Sequence, residues 1–263
     1  MTTRALLPGV GAFLRGLVYV WLALPAAIVV ASSFSRTTYL TFPPKGFTFI
    51  WYERAFESEA FMASLLVSTE LAVAATGITL AAALPAAFAI DRHRFAGRAL
   101  LQAGLMSPMI VPVIVLAIGL LQLLTWLGLA GSFLGLLIGH AVITLPYAVR
   151  TIGASLSLFD RSLEEAAASL RATPLQVVRW VTLPVLLPGI LSAAIFCFVT
   201  SFGNVTLSMF LAKSGQTTLP VQIFTYVEHS YDPIVAAVST LVIAVTLAVI
   251  AAIEKAVGLE QAF

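Results

Sequence analysis

Polar side chains that interrupt the apolar stretches of this chain are the first candidates for chemistry. Glu70 ends the run Ser68-Thr69-Glu70, Ser107 precedes a proline, His140 lies in an aliphatic run, and Phe202 and Asn204 flank a glycine. An ionisable or polar group among apolar residues is costly unless it faces protein or water. The four polar residues, together with the aromatic Phe202 near Asn204, are therefore candidates for lining the path of a polar solute. The alternative is that Glu70, His140 and Asn204 hold helices together by hydrogen bonds.

Motifs for catalysis, phosphate binding or metal binding are absent from the sequence. It contains neither a G-x-x-x-x-G-K-[ST] loop nor an H-E-x-x-H pair. No cluster of His, Cys, Asp and Glu has metal-ligand spacing, so no metal site is predicted. Gly153-Ala154-Ser155 together with His140 lacks a third group to orient the base. We expect a chain that is not an enzyme and holds no cofactor of its own.

A polar segment between two apolar stretches has the pattern of two short helices. Ser162 and Glu165 have the spacing of a capping box, in which side chains satisfy the free N–H groups at a helix start. Thr173, Pro174 and Gln176 repeat that pattern, with proline at the first helical position. The sequence predicts a bend between the two helices near Arg171.

This segment resembles the EAA loop of permease subunits of ATP-binding cassette importers. The matching positions are Glu165-Ala166-Ala167, then residue 171, which is glycine in most of that family, and finally Leu183-Pro184. The resemblance implies that residues 153–183 form a cytoplasmic loop that sits in a cleft of the ATPase subunit. The residues expected to couple transport to the ATPase are Glu164, Glu165, Ala166, Ala167, Arg171, Leu183 and Pro184.

Further along the chain, the sequence is similar to the spermidine/putrescine branch of these permeases. The similarity includes Thr41-Phe42-Pro43-Pro44, Leu145-Pro146 and Tyr231-Asp232-Pro233. The branch commonly carries an acidic residue where Gly203-Asn204 stands here. The resemblance implies a polyamine-like solute, and this departure leaves open an amino acid derivative, an organophosphonate or a metal ion.

The resemblance also implies the partners of the chain. They are two ATPase subunits that hold ATP and Mg²⁺, a second six-span permease and an external substrate-binding protein. The second permease would be a sister chain, and we expect no nucleic acid among the partners.

Composition indicates a protein of the lipid bilayer independently of any resemblance. Of the 263 residues, 60% are hydrophobic and 10% charged, and the mean hydropathy is +1.02. A spanning helix takes about 20 apolar residues, and six stretches meet that length. We predict an all-α, polytopic membrane protein with the type I importer permease fold and a single domain over residues 1–263. The six predicted spans are 14–34, 62–90, 100–127, 132–152, 184–211 and 234–257.

Basic residues set the predicted orientation. With six spans and both termini in the cytoplasm, only Arg36, Lys45, Arg54 and Lys213 of the 14 basic residues lie outside, as the positive-inside rule requires. The expected location is a bacterial cytoplasmic membrane. An alternative for the amino terminus is a signal peptide, with Arg4 and Arg15 before an apolar run and Ala31-Ser32-Ser33 as the cleavage site. The length of the apolar run favours a span.

Two alternative classes of membrane protein are weighed against the importer permease. A secondary transporter needs an ion-coupling site and usually an inverted repeat, and neither is found in the sequence. A structural or assembly protein needs no solute path. Trp51 and Tyr52, in the outer segment, suit an interfacial anchor helix or a surface that docks the binding protein. Cys197 lies in an apolar run and is predicted to be buried and inert.

Overall fold

Helices account for all the regular structure in the described part of the chain. The computed structural model describes residues 7–213 and 215–257. Arg4 and the two chain ends, predicted to be cytoplasmic, lie outside the described residues. The helices are α1 (Leu7–Ser32), α2 (Ile50–Glu57), α3 (Glu59–Arg92), α4 (Arg98–Ile110), α5 (Val113–Trp126), α6 (Phe133–Ser157), α7 (Ser162–Ser169), α8 (Pro174–Val177), α9 (Leu183–Phe202), α10 (Val205–Leu211), α11 (Leu219–His229) and α12 (Ile234–Val257), with a π-helical turn at Val178–Thr182 between α8 and α9.

The predicted spans correspond to helices of the structure. Four helical stretches of the described residues are long and apolar enough to cross a membrane: Gly11–Ser32, Glu59–Arg92, Phe133–Ser157 and Pro174–Phe202. The pair α4 and α5 makes a fifth if it is one broken span, and the apolar stretch Ile234–Ala248 of α12 is shorter. The all-α membrane fold with roughly six spans is confirmed.

Two of the predicted spans are broken rather than continuous. The third bends by 111° between α4 and α5. Val111 is extended there, with ψ of 133°, because the ring of the following Pro112 disfavours a helical residue before it. The fifth span ends at Phe202, and a separate helix begins after Asn204. At its other end this span reaches back without interruption through the π-helical turn to Pro174.

The described residues form two compact units. The first contains residues 7–62 and 225–252, and the second contains 63–213, 215–224 and 253–257. In the first unit, the Trp51 Nε1–H donates to the Ser35 carbonyl at 2.7 Å, and the Tyr52 hydroxyl lies 2.6 Å from the Ser33 hydroxyl. Trp51 is only 3% exposed. The Trp51 ring therefore packs inside the unit and is not itself an exposed anchor, whereas the interfacial anchor helix stays a prediction.

The second unit is built around α6. One apolar cluster brings α6 together with α3, α5 and α10, and a second joins it to α3 and α9. The second cluster is rich in small side chains: Ala83, Ala148 and Ala193 are fully buried. Lipid tails are as apolar as leucine, so spans associate through close packing rather than through the hydrophobic effect. Cys197 is buried in this cluster, as predicted.

Gly189 lets α9 approach α6 more closely than a larger residue would. A Cβ atom at position 189 would overlap the Oγ and Cβ atoms of Ser155. We therefore expect Gly189→Ala to destabilise the fold by about 1–3 kcal/mol, measured as a lower thermal unfolding midpoint in detergent.

The matched control for this prediction is Gly153→Ala in α6, where an added Cβ meets nothing within 4 Å. Its midpoint should stay near that of the unaltered protein. Adding Ser155→Gly to Gly189→Ala removes the overlapping atoms and should raise the midpoint above that of Gly189→Ala alone. No recovery in this double variant would contradict the steric explanation.

Candidate functional site

The helix α7 begins at Ser162 as predicted, but its cap is made by a different residue. The N-cap position is Arg161, which makes no side-chain capping bond. Instead, Asp160 Oδ1 accepts a hydrogen bond of 2.9 Å from the Ser162 N–H. This bond holds the pKa of the exposed Asp160 carboxyl below its usual value. The predicted capping box of Ser162 and Glu165 is wrong, because a carboxylate two residues earlier already satisfies a free N–H.

The bend after α7 lies at Arg171, as predicted. Arg171 has φ of +63° and is the one non-glycine residue with positive φ in the described part of the chain. Its N–H donates to the Ala168 carbonyl at 2.9 Å, and the Ala172 N–H donates to the Ala167 carbonyl at 3.2 Å. These two bonds form a Schellman motif, whose left-handed position glycine occupies most readily. Arginine therefore keeps the bend at the cost of backbone strain.

We expect Arg171→Gly to raise the thermal stability and to leave transport intact. A left-handed conformation costs an L-residue roughly 1–2 kcal/mol, and glycine adopts it freely. The guanidinium group is exposed, so its removal should cost little. The measurement is the thermal unfolding midpoint of the purified chain together with the uptake rate of the assembled transporter.

Arg171→Ala is the control that separates charge from backbone strain. It removes the guanidinium group but keeps a Cβ in the left-handed conformation, so it should give no gain in stability. Loss of transport in both variants would show that the guanidinium group itself is required, contrary to this prediction.

The second half of the loop forms a stiff element that continues into a span. Thr173 Oγ1 accepts from the Gln176 N–H, and the Gln176 side chain accepts from the Thr173 N–H, so the predicted capping box is confirmed. The π-helical turn follows and leads directly into Leu183 and Pro184 at the start of α9. Pro184 has no N–H for the carbonyl four residues earlier, and a π-helical turn is one way in which a helix accommodates such a gap.

Glu164 and Glu165 occupy different environments in the first turn of α7. Glu164 Oε1 accepts a hydrogen bond of 3.1 Å from Arg92 Nη2 and one of 2.6 Å from Thr182 Oγ1. Glu165 and Ala166 are exposed, while Ala167 is half-buried. The Glu164 carboxylate thus forms hydrogen bonds within the chain, whereas the Glu165 carboxylate is exposed.

The partners of Glu164 were missed in the sequence. Asp91 and Arg92 end α3, and Thr182 ends the π-helical turn. Asp91 Oδ2 also accepts from Arg161 Nη2 at 3.0 Å. The charged pair at the end of a predicted span was the only signal, and nothing local connected it with a loop some seventy residues later.

The helix break after Phe202 coincides with the two predicted path residues Phe202 and Asn204. Asn204 is the N-cap of α10, and its Oδ1 accepts from the Leu207 N–H at 2.8 Å. The ring of Phe202 stacks on that of Phe198, with centroids 5.7 Å apart. Broken helices with free polar groups are a common way to build a transport site. Asn204 thus caps α10, and its position at the break keeps it a candidate for lining the solute path.

His140 forms hydrogen bonds with residues on both sides of this break. Its Nδ1 lies 2.8 Å from the Ser201 hydroxyl at the end of α9, and its Nε2 lies 3.1 Å from the Ser208 hydroxyl on α10. The side chain is fully buried. Both ring nitrogens are thus engaged in interhelical hydrogen bonds, the arrangement expected of a residue that holds helices together.

Glu70 and Ser107 are both exposed. The Ser107 hydroxyl donates to the Gly104 carbonyl within α4. Within the described residues, no hydrogen bond connects Glu70 or Ser107 with His140 or Asn204. The described part of the chain contains no group of three or more His, Cys, Asp and Glu side chains that could hold a metal ion.

Comparison with known proteins identifies the class of this chain. Residues 79–257 match the family described as binding-protein-dependent transport system inner membrane component. This range contains the whole loop, the ion pair at its base and the helix break. The chain therefore belongs to this family and is the permease subunit of an ATP-binding cassette importer, a multi-pass protein of the inner membrane.

Two relatives of this chain are permeases of spermidine/putrescine transport systems. The chain is 34% identical to the spermidine/putrescine transport system permease protein PotC of Haemophilus influenzae, over 89% of this chain and 90% of that protein. It is 31% identical to PotC of Escherichia coli, over 92% of this chain and 93% of the relative. The resemblance to the spermidine/putrescine-type permeases that the sequence indicated is confirmed.

A solved structure supports the fold. The chain is similar to a bacterial ABC transporter involved in the import of the acidic polysaccharide alginate, with a TM-score of 0.75 over 97% of this chain and 98% of that one. The two are 20% identical, so this likeness concerns the fold alone.

Proposed function

We propose that this permease pairs with a second six-span permease, a sister chain, and that the pair binds two ATPase subunits and an external binding protein. ATP and Mg²⁺ bind to the ATPase subunits. Large apolar side chains of α1 support a further protein or lipid contact, since Phe13, Tyr19 and Trp21 are 70%, 69% and 72% exposed. The outward carboxylate of Glu165 on α7 supports docking of an ATPase at the loop.

Transport proceeds by alternating access in this proposal. Closure of the ATPase pair on ATP displaces α7, and the displacement reaches α9 through α8 and the π-helical turn. The observation that carries the mechanism is that Pro174–Phe202 is one uninterrupted stretch, because a stiff element passes a displacement on without absorbing it. No covalent chemistry takes place in the permease.

The proposed solute is a small organic amine of the polyamine class. Identity with the two PotC permeases over most of the chain supports it. The exposed carboxylate of Glu70 in α3 supports it as well, because an anion along the route attracts a cationic solute. Phe202 and Asn204 at the helix break, and Ser107 on α4, are the other proposed path residues.

Uptake by the reconstituted complex tests the function. The permease pair, ATPase and binding protein are reconstituted into vesicles. Uptake of labelled spermidine is then measured with either ATP or a non-hydrolysable analogue on the side of the membrane where the ATPase subunits lie. We expect uptake with ATP only. Uptake of an amino acid derivative, an organophosphonate or a metal ion in place of spermidine would overturn the proposed solute class but would still support the importer function.

Fusion reporters test the proposed orientation. A reporter fused after Arg94 or Arg171 should be cytoplasmic, and one fused after Lys45 or Lys213 should be external, because the basic residues concentrate on one side. The measurement is paired alkaline phosphatase and fluorescent protein activity. A single reversed position would contradict the six-span arrangement with both termini in the cytoplasm.

A further inference from the structure

One carboxylate oxygen joins three elements at the base of the loop. Glu164 Oε1, in the first turn of α7, accepts from Arg92 Nη2 at the end of α3 and from Thr182 Oγ1 at the end of the π-helical turn. Arg92 and Thr182 belong to two different spans that leave the loop region. The carboxylate therefore ties the loop to both of them at once.

The contact is partly removed from water. The side chains of Arg92 and Glu164 are 14% and 24% exposed, and Thr182 is fully buried. The Arg92 guanidinium carbon also lies 5.4 Å from the centre of the Phe159 ring. Charge-assisted hydrogen bonds in such surroundings hold more firmly than an exposed surface pair, which contributes little.

A second ion pair supports the same guanidinium group. Asp91 Oδ2 lies 3.4 Å from Arg92 Nε and 3.0 Å from Arg161 Nη2. Arg161 stands directly before α7. The end of α3 is thus joined to the start of the loop helix at two points.

The route from α7 to α9 differs in kind from the route from α7 to α3. The loop helix α7 packs against α8 and the π-helical turn, and that turn continues into α9 through the backbone. No backbone continuity joins α7 to α3 in this way, since residues 93–161 intervene. A displacement of α7 reaches α9 through the chain itself and reaches α3 through side chains.

We propose that the contact of Arg92, Glu164 and Thr182 is a transmission latch that makes α3 move together with the coupling loop. Arg92 and Glu164 are positioning residues in this role, acting through α3 and α9 rather than on the solute. The inference rests on the proposed function of the loop. It adds a specific connection through which the motion of the ATPase reaches a second span.

The test compares uptake with ATP consumption in the reconstituted complex. Arg92→Gln and Glu164→Gln remove one charge each and keep side chains of similar size. We expect both to insert and to retain their ATPase subunits, while the solute imported per ATP hydrolysed falls about fivefold or more, the range of a typical coupling free energy. The matched control is Arg94→Gln, at an exposed position two residues beyond Arg92, which should keep the unaltered ratio.

Exchange of the two charges tests whether the ion pair between positions 92 and 164 matters or whether each position needs its own side chain. The variant that combines Arg92→Glu and Glu164→Arg with Asp91→Asn restores an ion pair without leaving the new carboxylate beside Asp91, and the Thr182 hydroxyl can accept a hydrogen bond from the new guanidinium group. We expect it to import more solute per ATP than either single glutamine variant. No recovery in the exchanged variant would overturn the latch.

The remaining outcomes distinguish the latch from the function on which it rests. Arg92→Gln with an unaltered ratio of uptake to ATP hydrolysis would overturn the latch alone. An equal fall of uptake and ATP hydrolysis, with loss of the ATPase on purification, would show a purely structural contact and also overturn it. A lack of ATP-dependent uptake in the unaltered complex would overturn the proposed function and the latch with it.

Discussion

A Glu165→Arg permease is expected to insert and fold but to lose its ATPase subunits on purification. Glu165 is exposed, and its carboxylate has no part in the cap of α7, which Asp160 provides. Reversal of this charge should cost the isolated chain only about 0.3–1 kcal/mol, through the unfavourable interaction of a cation with the amino end of a helix. A misplaced like charge at a protein interface costs several kcal/mol.

The measurement is the amount of ATPase recovered with the tagged permease, together with the thermal unfolding midpoint of the permease alone. Recovery should fall at least tenfold in Glu165→Arg, since about 1.4 kcal/mol already produces that change. Glu165→Gln keeps the shape and removes the charge, so an intermediate recovery is expected. Full recovery of the ATPase with Glu165→Arg would mean that this carboxylate does not face the partner.

Features that depend on neighbouring residues were readable from the sequence. The cap of α8 needs only Thr173, Pro174 and Gln176, which lie within four positions, and the structure has it as predicted. The bend at Arg171 was placed by the same kind of local signal. The start of α7 was also placed correctly, although Asp160 rather than Ser162 supplies the acceptor, because these two good capping residues lie only two positions apart and the geometry decided between them.

Features that depend on distant residues were not readable in this way. The bond between Arg92 and Glu164 joins positions 72 residues apart, and that between His140 and Ser208 joins positions 68 apart. Proline at position 112 indicates a kink in the third span, but the angle of 111° depends on where the two halves pack. The polarity of His140 was visible in the sequence, whereas its two serine partners depend on the meeting of α6, α9 and α10.

The side chain at position 204 offers a test of solute charge that leaves the helix break intact. Asn204 Oδ1 caps α10 by accepting from the Leu207 N–H. Aspartate caps a helix as well as asparagine does, and a negative charge at the amino end of a helix is favourable. Asn204→Asp therefore keeps the local structure and adds one charge, at a place where the polyamine permeases that this sequence resembles commonly have an acidic residue.

We expect Asn204→Asp to increase the preference for a polyvalent amine over a neutral competitor roughly tenfold, the effect of about 1.4 kcal/mol of added attraction. The measurement is the initial rate of spermidine uptake by the reconstituted complex, at saturating binding protein, with and without the neutral competitor. Asn204→Ser is the control, because serine also caps a helix and carries no charge, and its preference should stay unaltered. If the aspartate variant behaves as the serine variant does, position 204 does not face the solute, and the side chain serves only to cap α10.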